Sequence, residues 1–243
     1  MKKLYEKNEL LFAILWIVLY TVTMGNLRPL GDDSPYPMIG LAIICLAAFL
    51  FVRSNGLMDK YGLARWEGCT RKMLWLIPLW LITSGNLWGG IKPDYPLPGL
   101  LYSIITMALV GFAEELIFRG FLFKAMINDG SAVTAVIVCA VSFGLGHILN
   151  LFIGQDFFDT ITQVIGAVAI GFIYTMVFYK SGSLLPCILS HSLIDVTSKL
   201  TAGKGPVLDW VYFGLLFTVA LAYCLYLRRL PTPRINQPEK KKD

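Results

Sequence analysis

Charged side chains are scarce in this sequence: Asp, Glu, Lys and Arg make up 15% of its 243 residues, where a soluble domain carries about 25%. That deficit, beside 56% apolar residues and a mean hydropathy of +0.64, excludes water as the main solvent of the fold. Cysteine is sparse too. Cys45, Cys69, Cys139, Cys187 and Cys224 lie far apart, with no paired spacing that would mark a disulfide framework or a zinc knuckle, and they read as reduced packing residues. Histidine is scarcer still, with two in the whole chain. There is no internal repeat and no segment with the composition of a soluble domain. The apolar run from Leu10 to Met24 behind Lys2, Lys3 and Lys7 has the look of a secretory signal, but no small-residue Ala-x-Ala site follows, so a retained first helix is expected. The formal charge is +5. Its basic residues sit in short blocks between apolar runs, which speaks for membrane topology and against a nucleic-acid partner.

What the chain does have is apolar runs long enough for a bilayer. A spanning helix needs roughly 20 mostly apolar residues, and hydrocarbon forces each such run to satisfy its own backbone as a helix. Eight runs qualify, at approximately 9–27, 37–54, 73–90, 98–127, 131–153, 160–180, 183–202 and 207–229, separated by Pro- and Gly-rich breaks such as Pro93 to Pro98 and Asn128-Asp129-Gly130. The expected fold is therefore an all-α polytopic membrane bundle of about eight transmembrane helices. With the amino terminus inside, sixteen of the twenty-one basic residues fall on inner segments, so both termini are expected to be cytoplasmic. Residues 1–230 form one integral membrane domain, and the Pro- and Lys-rich tail 231–243 is expected to be disordered. The loop from Asn55 to Lys72, which mixes apolar and basic residues, suits an amphipathic stretch on an anionic leaflet.

Ionisable residues inside membrane helices are costly, about 2.5–3.5 kcal/mol per central charge on insertion scales, and mark function by default. Here they cluster. The fourth run holds Glu114, Glu115 and Arg119, the fifth His147, and the seventh His191 and Asp195. Glu115 and Arg119, four apart, share a helix face and can pair, which leaves Glu114 turned about 100° away. His191 and Asp195 also share a face, and Phe143 lies one turn before His147. A carboxylate in a low-dielectric cavity is a candidate general base toward water. An imidazole can orient that water, and a second can donate to the oxyanion formed when a carbonyl is attacked. Peptide hydrolysis fits this inventory. No serine or cysteine stands in an obvious nucleophile arrangement, although Ser190 and Ser192 flank His191.

Glu114-Glu115-Leu116-Ile117-Phe118-Arg119 resembles the EExxxR motif of the CAAX prenyl protease and bacteriocin-processing family, also called CPBP or Abi. Phe143-Gly144-Leu145-Gly146-His147 resembles its FxxxH motif, and His191-Ser192-Leu193-Ile194-Asp195 is similar to its HxxxN/D motif. The likeness covers roughly 98–202, in matching order and on three separate runs. It implies an intramembrane endopeptidase in which Glu114 and His147 activate water, His191 and Asp195 meet the substrate carbonyl and its oxyanion, and Glu115, Arg119 and Phe143 support them. The eukaryotic members carry Asn where this chain has Asp195, so the prokaryotic branch is the better likeness. An ionised Asp accepts hydrogen bonds but cannot donate them, so Asp195 is either protonated or orients His191.

The resemblance leaves the cofactor open between none and one divalent metal such as zinc. Glu114, His147 and His191 supply three ligands and an open position, while no HExxH-type pair shares a helix. The expected substrate is a membrane-associated peptide or protein, such as a bacteriocin leader, a signalling pro-peptide or a CAAX-like tail, met at the bilayer of a bacterial cell membrane. A non-catalytic immunity or scaffold protein that binds a bacteriocin or another partner is the alternative. A proton-coupled transporter would show paired, broken helices in symmetric halves, and the sequence shows none.

Overall fold

The computed structural model describes residues 1–64 and 74–237. The chain begins with a short helix α1 (Lys2–Lys7), then α2 (Glu9–Leu27), α3 (Pro35–Ser54) and a short α4 (Ile77–Thr83). α5 (Gly99–Glu115) runs through a π-helical segment, Leu116–Leu122, into α6 (Phe123–Asp129). α7 (Ala132–Gly146), α8 (Phe157–Ser181), α9 (Leu185–Ser198) and α10 (Gly205–Leu227) complete the bundle. The all-α reading holds, and among the described residues six helices are long and apolar enough to cross a membrane.

The other two expected spans are shorter. α9 covers 14 residues, and α4 covers 7 before tightening into a 3-10 segment, Ser84–Gly89. α9 still carries the chain from one end of the bundle to the other. Leu184 N donates to Gly62 O at the start of α9, and Lys199 at its end pairs with Asp32. α9 buries Ser190 and His191 on one face and leaves Leu189 and Leu193 exposed on another.

The first residues and the last described ones lie at the same end of the bundle, the end that the basic loops are expected to put in the cytoplasm. Lys60 Nζ bonds Glu9 Oε1 at 2.5 Å and Tyr5 OH at 2.8 Å, while Lys180 Nζ bonds Leu230 O at 2.9 Å. The amphipathic stretch expected over Asn55–Lys72 lies outside the described residues from Arg65 onward. Composition assigned the tail from Pro231 to disorder, and the structure corrects this over 231–237. Asn236, fully buried, donates to Phe178 O at 2.7 Å and Tyr179 O at 3.1 Å, and Lys124 bonds Ile235 O. Short polar side chains that meet helix-end carbonyls hold a Pro-rich segment that composition alone cannot place. Residues 238–243 lie outside the description.

Cys45, Cys139, Cys187 and Cys224 are free thiols, the first three buried. Two glycines set how closely the site helices approach. A Cβ on Gly111 of α5 would sit 2.4 Å from Ser192 Oγ and 2.6 Å from Ser192 N on α9, and one on Gly144 of α7 would sit 2.9 Å from Val164 O on α8. Gly146 has nothing within 4 Å and faces open space. Gly111→Ala is expected to destabilise the bundle by about 1–3 kcal/mol through overpacking against backbone, seen as a lower melting temperature in detergent. Gly146→Ala is expected to leave that temperature unchanged.

Candidate active site

The three motifs meet. Glu114 and Glu115 close α5, Arg119 lies within the π-helical segment, His147 follows the last residue of α7, and His191 and Asp195 ride on α9. The π-helical segment is local and specific. Its wider turn carries an extra residue, and it sits between the carboxylate pair and α6.

Arg119 is fully buried. Its Nη1 donates to Glu115 Oε1 at 2.8 Å, and its guanidinium lies over the ring of Phe143 at 4.1 Å and that of Tyr174 at 5.4 Å. Nε and Nη2 have no hydrogen-bond partner among the described residues, so the aromatic faces contribute the remaining favourable contact to the cation. Glu115 Oε1 is also 2.8 Å from His191 Nδ1. A carboxylate paired with a guanidinium only accepts, so Nδ1–H is the donor there. Glu115, expected only to pair with Arg119, therefore also fixes the ring of His191 and aims its Nε2 away from Arg119.

Nε2 of His191 faces two further carboxylates, with Glu114 Oε2 at 3.6 Å and Asp195 Oδ2 at 3.4 Å. Phe143 is the wedge that holds both imidazoles. Its ring meets His147 edge-on at 5.6 Å and His191 edge-on at 5.7 Å, with Phe118 behind it at 5.4 Å. The orienting part expected of Asp195 is shared, since Glu115 takes the inner nitrogen of His191 and Asp195 stands beside the outer one.

Glu114, His147, His191 and Asp195 line one cavity of about 220 Å³ together with Tyr20, Arg28, Gly146, Asn150, Gln163 and Lys199. That space accommodates several water molecules among polar partners. Glu114 and His147 share it without a direct hydrogen bond or ion pair between their side chains. The cavity extends to exposed Ser198, at the end of the bundle opposite the chain termini. His147 opens a 3-10 segment, His147–Ile153, so the site lies nearer that end than the middle of the fifth run. Ser190 faces away, bonded to Thr83 at 2.7 Å and Tyr174 at 2.9 Å, and Ser192 Oγ donates to Ala108 O at 2.9 Å. Neither serine lines the cavity.

One site residue went unread in the sequence. Tyr20 of α2, buried at 8% exposure, donates its hydroxyl to Glu114 Oε1 at 2.6 Å. It carries no motif. The available signal was a phenol inside an otherwise apolar run, which needs a polar partner when buried.

Residues 96–197 match the family model of the Rce1-like type II CAAX prenyl endopeptidases. Over that stretch, less than half of the chain, the sequence is similar to that family. The resemblance read from three motifs is borne out on nearly the same bounds, and all three motifs of the Rce1-like segment lie inside the match. Tyr20 and Arg28 fall outside it. No curated protein and no solved structure matches the chain.

Removing one partner of a buried ion pair costs about 3–5 kcal/mol, because the other charge is left uncompensated. Arg119→Met is accordingly expected to lower thermal stability by that amount, measured by unfolding in detergent. The double variant Arg119→Met/Glu115→Gln is expected to recover part of the loss.

Proposed function

We propose that this protein is an intramembrane endopeptidase that hydrolyses a peptide bond of a membrane-associated peptide or protein with water activated by Glu114 and His147. The Rce1-like match supports CAAX-type endopeptidase activity in general terms. The observation that carries the finer reading is the cavity shared by a carboxylate, two imidazoles and a second carboxylate within the helix bundle.

With Oε1 held by the Tyr20 hydroxyl, Glu114 uses Oε2 to take a proton from a water that His147 orients. The hydroxide adds to the scissile carbonyl carbon, and the carbonyl oxygen becomes an oxyanion. His191 keeps Nδ1–H on Glu115 and donates from Nε2 to that oxyanion, a preplaced donor of the kind that lowers barriers most. Collapse breaks the C–N bond, and the proton held by Glu114 passes to the leaving amine, which restores the base. Asp195 keeps the outer side of the His191 ring in place.

Among the described residues no three His, Cys, Asp or Glu side chains are grouped as a metal's ligands would be. The hydrogen bonds of Glu114 Oε1 with Tyr20 and of His191 Nδ1 with Glu115 leave Glu114 Oε2 and His191 Nε2 as the atoms that, with His147, would hold a divalent ion. No step is routed through a metal.

The substrate class we favour is a bacteriocin leader or a signalling pro-peptide before a CAAX-like tail, in a bacterial cell membrane, because Asp195 stands where the prokaryotic branch admits Asp. The apolar part of the cavity wall, with Met24, Met107, Val110 and Phe118, suits a hydrophobic peptide.

Glu114→Gln preserves volume and removes the base, and it is expected to cut turnover by about 10²–10⁴-fold at unchanged abundance. If the variant still processes substrate, Glu114 is not the base; if it supports the cellular phenotype without processing, the protein acts by binding alone, as an immunity or scaffold protein does. Tyr20→Phe removes one hydrogen bond to a carboxylate, worth about 1.5–3 kcal/mol, and is expected to lower kcat roughly ten- to a hundredfold with little change in KM. Both are read in a fluorogenic peptide assay on the protein in nanodiscs, with and without EDTA. Cleavage is expected to survive chelation, and its loss would overturn the direct Glu114–water step.

A further inference from the structure

A second concavity lies on another face of the bundle and shares no residue with the catalytic cavity. α7 and α10 each pack against α8, and the strip of α8 between them stays open. α7 and α8 are drawn together where a Cβ on Gly171 would stand 2.9 Å from the Ala140 backbone, while Gly166 of α8 faces Phe213 and Leu216 of α10. The groove between these two contacts has a volume of about 890 Å³, within the range of about 300–1,000 Å³ typical of ligand sites. Its walls are apolar, with Val133 and Ile137 from α7, Phe172 and Met176 from α8, and Phe217 and Leu221 from α10.

The groove is polar at one end only, where Lys180 and Arg228 stand. Lys180 is fastened to Leu230 O and Thr232 Oγ1, each at 2.9 Å. Arg228 is exposed and enters no ion pair among the described residues. Two cations thus close an apolar trough without a carboxylate between them. Along α10 the trough from Phe217 to Arg228 is about 16 Å long at the helical rise, close to the roughly 15 Å of hydrocarbon in one leaflet. The cationic end is the one that the basic loops place at the cytoplasmic surface, where anionic lipids reside.

We propose that this groove is a binding site for an anionic glycerophospholipid, with an acyl chain along α8 between α7 and α10 and its phosphate held between Lys180 and Arg228. Apolar contact alone would take any lipid, and the paired cations supply the selectivity. The site is independent of the catalytic reading.

The test uses the full chain in detergent, titrated with phosphatidylglycerol or with phosphatidylcholine of the same acyl chains, and native mass spectrometry to count retained lipid. Phosphatidylglycerol is expected to be retained as one copy at about fivefold or greater preference, the effect of a basic residue at an anionic surface. Arg228→Gln is expected to remove about fivefold of that preference, while Arg53→Gln, an exposed cation at the end of α3 and outside the groove, leaves it intact. Leu221→Trp, at an exposed groove position, is expected to lower retention of both lipids without changing the helical circular dichroism. Equal retention of the two lipids by the wild type, or equal losses in the Arg228 and Arg53 variants, would overturn the proposal.

Discussion

A guanidinium with no solvent exposure, set in a helix that crosses hydrocarbon, dictates much of what surrounds it. Arg119 cannot shed its charge, so the protein must meet it from within. Glu115 does so one turn back, and the rings of Phe143 and Tyr174 cover the guanidinium. Because Glu115 Oε1 also accepts from His191, the same carboxylate couples α5 to α9, while the two rings bring in α7 and α8. Loss of Glu115 would leave both the guanidinium and His191 Nδ1 without their buried partner. Glu114 is free for other work because its neighbour carries the structural charge.

That division of labour was half visible in the primary structure. Residues four apart on a helix had to be Glu115 and Arg119, and the convergence of Glu114, His147, His191 and Asp195 followed from the cost of placing polar groups in lipid. The motif wedge Phe143 was legible as a position but not as a mechanism, because edge-on contact with two imidazoles depends on where α9 crosses α7. Glu115 bonding His191 needed the same crossing. Periodicity also assumed regular α-helix through Leu116–Leu122, and nothing in those apolar residues announces a π-helical segment. The two short passages, α4 and α9, were drawn too long because hydropathy measures apolar length and does not register where regular helix ends, as where α4 gives way to the 3-10 segment Ser84–Gly89. Tyr20 was missed for a different reason, since its partner lies 94 residues away in the chain and no local pattern connects them.

Tyr20 also shows why the Rce1-like segment does not complete the site alone. The match spans residues 96–197, yet one oxygen of Glu114 is held by α2, and Arg28 at the end of the same helix lines the cavity. The helices before the motifs therefore do more than anchor the chain. A carboxylate with both oxygens free would turn about its last torsion, which is broad and roughly two-fold. The phenol removes that freedom and leaves Oε2 facing His191 Nε2.

The remaining constraint is delivery of water to a place defined by its exclusion. Polar groups are graded along the cavity, from Glu114 and His147 past Asp195 and Ser198 to Lys199 and Arg28 at its mouth. Asp32 balances that mouth, 2.9 Å from Lys199 and 3.8 Å from Arg28 Nε, while Asn150 bonds Gln163 at 2.8 Å. Such a path gives solvent hydrogen-bond partners at each step from the surface inward. On the helix face that carries Glu114, the neighbours Met107, Val110 and Phe118 offer none and suit an apolar chain. On the proposed mechanism, water and peptide would meet at the carboxylate that Tyr20 holds, so the geometry of that one side chain would decide which bond is cut.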